Sequence, residues 1–323
     1  MIHTRLCDLL GVMHPILSAP MAGTAGARLA AAVSEAGGLG IIGGSGGDAA
    51  WLRAQIRSVR ERTDKPFGVG FISSRPGLAA LTAVAIAERV PVITHSFADP
   101  TPFVADIHAA GIVMVAQVQT VAQARVAAQA NVDAIAAQGT EAGGHTGYSG
   151  TLPLVPAVID VAGTIPVIAA GGIADGRGLA AVLMLGAEGA WIGSRFVASI
   201  EAETDTWVKE RVVVATTDDT ILTKAYDIVN QAAFPTGIGD RVVRNDYTDT
   251  WHGRDAELAE RRVDLHAQLV RATDAGDARI APTRAGNAVG LIHTIEAAGE
   301  IVRAIIAEAE RILRERPEHL LRH

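Results

Sequence analysis

One histidine stands in an unusually open stretch of this chain. The run from Ala137 to Gly147, AQGTEAGGHTG, places His145 among four glycines. Glycine takes up positive φ angles and leaves room for a flat or anionic molecule to approach the backbone closely. An imidazole titrates near neutral pH, so His145 is suited to exchange a proton with such a ligand. We predict that this turn holds a ligand and that His145 projects toward it from the carboxyl end of a strand.

Two further loops have the composition of a phosphate site. Gly171 and Gly172 follow one predicted strand, and Gly193 and Ser194 follow the next. Glycine N–H groups and a nearby helix N-terminus bind an anion without a counter-charge, and Arg195 would add a positive charge. Tight turns use the same residues, but two such loops after consecutive strands favour a phosphate site.

A third loop, Ser18 to Gly23, predicts contact with a planar ring. Pro20 fixes the backbone, and Ala22 next to Gly23 keeps the bulk low. Taken alone, an ordinary loop with Met21 in the core is the simpler interpretation. Together with the phosphate loops, however, it indicates a phosphorylated planar cofactor, and FMN satisfies that requirement.

The elements that must position these loops are repeated strand and helix units. Eight short apolar strands are predicted: 16–19, 39–42, 67–72, 92–94, 113–117, 134–138, 167–170 and 190–192. Helical segments lie between them, with Thr120 and Asp175 as predicted N-caps. Eight parallel strands joined by helices predict a closed (β/α)₈ TIM barrel, and its carboxyl end is where such proteins keep their chemistry. A count of seven or nine strands stays open.

The expected domain organisation follows from a change of texture after Ile200. Residues 1–200 are predicted to form the FMN-binding barrel, 201–285 a smaller accessory segment over its mouth, and 286–323 a C-terminal helix that returns to the barrel. Helices are expected over 258–273 and 286–316. The Gly-x-Gly-x-x-Gly string that begins at Gly38 spans a predicted strand, so no NAD-binding turn is assigned there.

Composition limits the class of protein. The 323 residues are 49% hydrophobic and carry a formal net charge of −7 without a dense basic block, which argues against nucleic acid and acidic membrane surfaces as partners. Cys7 is the only cysteine, so no intrachain disulfide forms, which fits a cytoplasmic location. We expect a small-molecule substrate, with dioxygen or NAD(P)H as the redox partner, and a homodimer is compatible with such a barrel.

In this order, the Pro-Met-Ala-Gly start, the Ala-Gln-Gly-x-Glu-Ala-Gly-Gly-His turn, the Ala-Ala-Gly-Gly-Ile segment and the Gly-Ser-Arg-Phe loop resemble the nitronate monooxygenase family, formerly called 2-nitropropane dioxygenases. The resemblance runs from about Leu9 to Phe196 and is weaker over 286–313. It implies an FMN-binding TIM barrel that oxidises alkyl nitronates with dioxygen to a carbonyl compound and nitrite.

The resemblance also implies roles for individual residues. His145 matches the proposed catalytic base. The matched or predicted FMN-binding positions are Ala19, Pro20, Met21, Ala22, Gln138, Gly143, Gly144, Gly171, Gly172, Trp191, Ile192, Gly193 and Ser194. Two departures stand out. Many members carry a Gly-Val-Asn run after the third strand, whereas this chain has glycine at position 70, and the segment after Phe196 does not match the pattern of the well-defined nitronate oxidisers. The substrate is therefore not fixed by the resemblance.

Other interpretations of the same residues stay open. The scaffold also resembles FMN-dependent enoyl-ACP reductases and relatives that act on CoA thioesters with NAD(P)H. On this interpretation a nucleotide or CoA phosphate would be held by Arg241, Arg244 and Arg254 of this chain. The alternative is that these three charges form a solvated face. A third interpretation is a non-enzymatic FMN or sugar-phosphate binder in which the histidine of the glycine-rich turn is a spectator.

Two remaining histidines complete the candidates. His95 follows the fourth predicted strand, so it either faces the substrate or caps its loop. A metal site of His95, His145 and His252 is conceivable, but no pair has metal-ligand spacing and acidic partners are expected to be absent nearby, so no metal is assigned.

Overall fold

The fold is built from short strands and Ala-rich helices in a computed structural model that describes residues 1–321. The strands of this part of the chain are β1 (Ile16–Ser18), β2 (Gly40–Gly43), β3 (Phe67–Ile72), β4 (Val92–Ser96), β5 (Val113–Val118), β6 (Ala134–Gln138), β7 (Gly144–Thr146), β8 (Val167–Ala170), β9 (Gly189–Ile192), β10 (Thr220–Thr223) and β11 (Gly239–Val243).

The helices alternate with the strands in the first two thirds of the chain. They are α1 (Arg5–Leu10), α2 (Ala27–Glu35), α3 (Ala49–Arg60), α4 (Leu78–Ala87), α5 (Thr101–Ala109), α6 (Val121–Gln129), α7 (Thr151–Ala162), α8 (Gly176–Met184), α9 (Ser194–Val197), α10 (Thr206–Val214), α11 (Ala225–Asn230), α12 (Asp246–Trp251), α13 (Asp255–Glu260), α14 (Arg262–Asp274) and α15 (Ala298–Leu320). No helix among residues 1–321 combines the length and the apolar composition needed to cross a bilayer.

The eight predicted strands form one parallel sheet. Its order is β1-β9-β8-β6-β5-β4-β3-β2, and a parallel bridge between Leu17 and Leu39 joins its two edges. The sheet therefore closes, which confirms the predicted (β/α)₈ barrel. Both predicted N-caps are confirmed as well: the Thr120 hydroxyl accepts from the N–H of Gln123 at 3.2 Å, and Asp175 accepts from that of Gly178 at 3.1 Å.

The barrel has an inner and an outer core because neighbouring strand residues face opposite sides. Leu17, Ile41, Val115 and Ile168 belong to the cluster inside the barrel, whose amino-terminal end is closed by apolar residues of α1. Apolar side chains from the other face pack against the surrounding helices. This leaves the carboxyl ends of the strands as the open end.

Residues after 200 add a second, smaller sheet. β10 and β11 pair antiparallel, and β11 pairs in turn with β7, which lies in the glycine-rich turn after β6. Tyr226, Trp251 and Leu265 belong to a separate apolar cluster under this sheet. The glycine-rich turn is thus not a free loop, because it contributes an edge strand to the second sheet.

The predicted helix over 286–316 begins only at Ala298, so the prediction of helix over 286–297 was wrong. Asn287–Leu291 forms a 3₁₀ turn instead. The N–H of Gly286 donates to the Ser194 hydroxyl and that of Asn287 to the carbonyl of Glu141, so tertiary hydrogen bonds override the helical pattern. Positions 322 and 323 of the predicted C-terminal helix lie outside the described residues.

Candidate active site

A cavity of about 540 Å³ opens at the carboxyl ends of the barrel strands. The predicted site residues that line it are Ala19, Pro20, Met21, Ala22, Gln138, Gly143, Gly144, His145, Gly171, Gly172, Trp191, Gly193 and Ser194. Ile192 does not line it, because its side chain belongs to the outer core. Asp205, Trp207 and Phe234 from the later part of the chain complete the wall.

The two glycine-rich loops present free backbone donors to this cavity. The N–H groups of Gly172, Gly193 and Ser194 make no hydrogen bond to another described residue. Gly171 and Gly172 have φ angles of 99° and 75°, a backbone conformation that residues other than glycine rarely adopt. Free N–H groups on a glycine backbone are suited to a phosphate.

Arg195 does not contribute the charge expected of it. Its guanidinium is buried and donates to Glu296 at 2.9 Å and to the carbonyl oxygen of Thr294 at 3.0 Å. Burial lowers the pKa of this guanidinium, and the Glu296 carboxylate opposes that change. Arg195 thus ties the loop after β9 to the segment before α15, and the prediction that it binds the phosphate is corrected.

The loop from Ser18 to Gly23 explains why position 70 is a glycine and not an asparagine. An ideal Cβ at Gly70 would overlap the ring of Pro20, and it would lie 2.6 Å from the Thr94 hydroxyl. Any larger side chain at this position would therefore displace the loop that carries Met21. In this chain, the proline after β1 occupies the space that a side chain at Gly70, within β3, would need.

The polar atoms of Trp191 and Gln138 give the cavity two fixed hydrogen-bonding groups. The indole Nε1 of Trp191 is buried and finds no partner in the described part of the chain, so an acceptor on a ligand would satisfy it. Gln138 accepts from Gln119 at 3.0 Å and donates to the carbonyl oxygen of His145 at 3.2 Å. These bonds set the orientation of its amide group.

His145 lies in β7 with its ring held by three side chains of distant origin. Its Nε2 lies 2.8 Å from Oδ1 of Asp227, on α11. Phe234 stacks on the imidazole with ring centroids 3.4 Å apart and planes 12° apart, and Phe97 meets it edge-on at 6.3 Å. Sequence reasoning missed Asp227 and Phe234, because separations of more than eighty residues leave no spacing signal.

A second carboxylate lies beside this pair. Asp240 is opposite His145 in the β7–β11 register and is fully buried. Ligand atoms of Asp227, Asp240 and His145 lie within 4.8 Å of one another, which corrects the expectation that acidic partners are absent. Arg284 donates to Asp240 at 2.9 Å, and the Asp240 carboxylate raises the pKa of that guanidinium. Because Asp240 is already paired with a cation, these groups form an ion-pair network.

His95 lies away from the cavity, which corrects the expectation that it faces the substrate. Its ring is buried, stacks on Phe103 of α5 with centroids 4.3 Å apart, and shares a 3.0 Å hydrogen bond between Nδ1 and the Ser73 hydroxyl. Neighbouring residues Ser96 and Phe97 do line the cavity. His95 therefore packs between barrel and helices.

Burial lowers the pKa of His95 to about 4 from an ordinary value of 6.5. Between pH 6.5 and about pH 4, His95 binds a proton in the unfolded chain but not in the folded chain. The free energy of unfolding is therefore unaffected by protonation of His95 above pH 6.5 and decreases as the pH falls toward 4. The shift corresponds to about 3 kcal/mol. Urea unfolding of the wild type and of His95→Gln is measured at pH 7.5 and at pH 4. Between these pH values the free energy of unfolding should fall by about 3 kcal/mol more in the wild type than in the variant. Equal losses in both proteins would contradict this assignment.

The three arginines suggested for a nucleotide or CoA phosphate lie outside the cavity lining and contact other protein groups. Arg241 donates to the carbonyl oxygen of Thr140 at 2.7 Å. Arg244 pairs with Asp249 at 3.6 Å, and Arg254 pairs with Glu257 and lies over the Trp251 ring. The structure therefore favours structural and solvated roles for them.

Comparisons with known proteins place these features in context. A family model described as nitronate monooxygenase matches residues 3–85 and 79–308. A (3aS,4S,5R,7aS)-5-hydroxy-7a-methyl-1-oxo-octahydro-1H-indene-4-carboxyl-CoA dehydrogenase of Mycobacterium tuberculosis (strain ATCC 25618 / H37Rv) is 38% identical over 250 residues, covering 77% of this chain and 68% of the relative.

Two solved structures are similar over nearly the whole chain. FabK from Thermotoga maritima has a TM-score of 0.90 and 38% identity, covering 99% of this chain and 100% of its own. A nitroalkane oxidase from Streptomyces ansochromogenes has a TM-score of 0.83 and 30% identity, covering 95% of this chain and 98% of its own. The likeness therefore includes the barrel and the residues that follow it.

Proposed function

The chain belongs to the nitronate monooxygenase family and is an oxidoreductase, and from this we propose that it binds FMN at the barrel mouth and oxidises alkyl nitronates with dioxygen. The observation that carries the proposal is the position of His145 in the wall of the same cavity as the free glycine N–H groups. A proton-transfer group thus lies beside a place for a phosphorylated ring.

The residues present fit FMN. The loops of Gly171 and Gly193 would hold its phosphate, and the loop of Pro20 and Met21 would lie beside its ring. The unpaired indole N–H of Trp191 would donate to a ring acceptor. When bound, FMN would supply the transfer of electrons from a carbon substrate to dioxygen.

The protein contributes proton handling and exclusion of water. A neutral nitroalkane must lose a proton from the carbon next to its nitro group before it is oxidised, and His145 would accept that proton. Phe97 and Phe234 place apolar surface beside the imidazole, which shields it from solvent. An alkyl nitronate has already lost the proton and would need only charge stabilisation from the protonated ring.

A second candidate substrate class is a CoA or ACP thioester, reduced or oxidised with NAD(P)H. Identity favours it: the CoA dehydrogenase of M. tuberculosis and FabK are each 38% identical to this chain, against 30% for the nitroalkane oxidase. Many members of the family carry asparagine where this chain has Gly70, so this position does not decide between the two classes. The same histidine would then exchange a proton with the carbon next to the thioester carbonyl.

An anaerobic experiment separates the two substrate classes. The purified protein is mixed separately with propyl-2-nitronate and with NADPH or NADH, and the flavin absorbance is followed. Bleaching by the nitronate but not by the pyridine nucleotides supports nitronate oxidation. Bleaching by NAD(P)H alone overturns it in favour of the thioester class, and a colourless protein that binds no added FMN contradicts both.

A further inference from the structure

We propose that Asp227 is a positioning residue that holds the proton of neutral His145 on Nε2 and so makes Nδ1 the nitrogen that exchanges protons with the substrate. This inference rests on the proposed function of His145 and adds the residue that determines which ring nitrogen is basic. Asp227 lies on α11, so the segment after the barrel would set the chemistry of a residue in the barrel mouth.

The contact between the two side chains is short and shielded. Nε2 of His145 lies 2.8 Å from Oδ1 of Asp227, and each side chain is only 13% exposed. An ionised carboxylate only accepts hydrogen bonds, so a neutral imidazole at this distance must donate through Nε2. In a two-tautomer ring, a proton on Nε2 leaves the lone pair on Nδ1.

The ring has one orientation because it is fixed about two axes. Stacking on Phe234 at 3.4 Å sets the plane of the imidazole, and the bond to Asp227 sets its rotation within that plane. The backbone is held by the pairing of β7 with β11 and by the bond from Gln138. Nδ1 finds no hydrogen-bond partner among the described residues, which leaves it free for a ligand.

The neighbouring charges leave Asp227 as the carboxylate available to His145. Asp240 is the other acidic group beside the ring, but Arg284 donates to both of its carboxylate oxygens, at 3.2 and 2.9 Å. Asp240 is therefore already neutralised by a cation. The resulting step balances simply: the carbon-bound proton moves to Nδ1, and Nε2–H of the imidazolium still donates to Asp227. The electron pair of the broken C–H bond stays on the substrate.

The test measures the tautomer directly and does not depend on turnover. ¹⁵N-histidine is incorporated into the full chain, the Nδ1 and Nε2 resonances of His145 are assigned by their loss in His145→Gln, and their shifts are read at a pH where the ring is neutral. We expect the wild type to carry its proton on Nε2, and Asp227→Ala to populate both tautomers. Asp227→Asn keeps the side-chain shape and, since an amide both donates and accepts, should also give a mixture.

The same variants are then assayed with whichever substrate the wild type turns over. Loss of the preferred tautomer should lower kcat/KM by about 100-fold, within the range known for residues that orient a catalytic imidazole. Asp264→Ala, an exposed carboxylate on α14, is the matched control and should change neither the tautomer nor the rate. If turnover fails in the wild type, the proposed function fails, yet the tautomer measurement still decides the role of Asp227.

Two outcomes would overturn the inference. One is a wild-type ring that carries its proton on Nδ1. The other is an Asp227→Ala or Asp227→Asn protein whose His145 resonances are unchanged from those of the wild type.

Discussion

Replacing His145 by glutamine is expected to lower the rate of proton abstraction from the substrate carbon by about 10²- to 10⁴-fold, the usual contribution of a positioned general base. Glutamine has a similar reach and can still form hydrogen bonds, but it cannot accept a proton near neutral pH. The measurement is kcat/KM for a neutral nitroalkane and, separately, for its preformed nitronate. The nitroalkane should suffer the larger loss, because the nitronate has no carbon-bound proton to remove.

The flavin content of the variant is the control for that experiment. His145 lies in the cavity wall, but the groups proposed to hold the phosphate are backbone N–H groups on β8 and β9 loops, so His145→Gln should retain FMN. If the wild type acts only on a thioester, kcat/KM for that thioester is compared between the wild type and His145→Gln. Unchanged turnover in a flavin-loaded variant would make His145 a spectator and remove the basis of the mechanism.

Replacing Gly171 by valine is expected to weaken FMN binding by at least about 100-fold, because several hydrogen bonds to a charged phosphate are lost together. An ideal Cβ at this position lies 2.8 Å from the carbonyl oxygen of Gly139 and 3.0 Å from the N atom of Ala142. Both are backbone atoms that cannot rotate away, and the φ angle of 99° disfavours any side chain. The loop must therefore shift, and its N–H groups move with it.

A matched substitution separates cofactor binding from general strain. Gly111 also has positive φ, at 71°, but a Cβ there meets no atom within 4 Å, and the residue lies between α5 and β5, away from the cavity. Gly111→Val should lose about 1 to 2 kcal/mol of stability and keep its FMN. FMN affinity is measured by titrating the flavin-free proteins. Equal affinities in Gly171→Val and the wild type would exclude this loop from the phosphate site.

Much of the barrel was predictable because its signals are local. Strand periods and alternating helices gave eight strands, three of them with bounds identical to those observed, such as Phe67–Ile72. The family motifs are local as well, and the family model and structural relatives confirm both the family and the barrel. Residues that follow a barrel strand were placed near one another for the same reason, since parallel strands end at one rim.

What could not be predicted depends on contacts between distant segments. Asp227 and Phe234 reach His145 only because β7 pairs with β11, and nothing in the glycine-rich turn indicates that pairing. The two alternatives for His95 could not be separated because the direction of its side chain depends on the pleat of β4 rather than on its position along the chain. Arg195 was misassigned because its partner, Glu296, lies about a hundred residues away.

The central claim is that the cavity at the barrel mouth binds FMN, and the most direct test is to identify the cofactor of the purified chain. The protein is purified after expression with sufficient riboflavin, its visible spectrum is recorded, and the cofactor released on denaturation is identified by mass and quantified against the chain. We predict a flavin spectrum and about one FMN per chain, with flavin-free protein regaining the spectrum on addition of FMN. A colourless protein whose absorbance and thermal stability do not respond to added FMN would contradict the account.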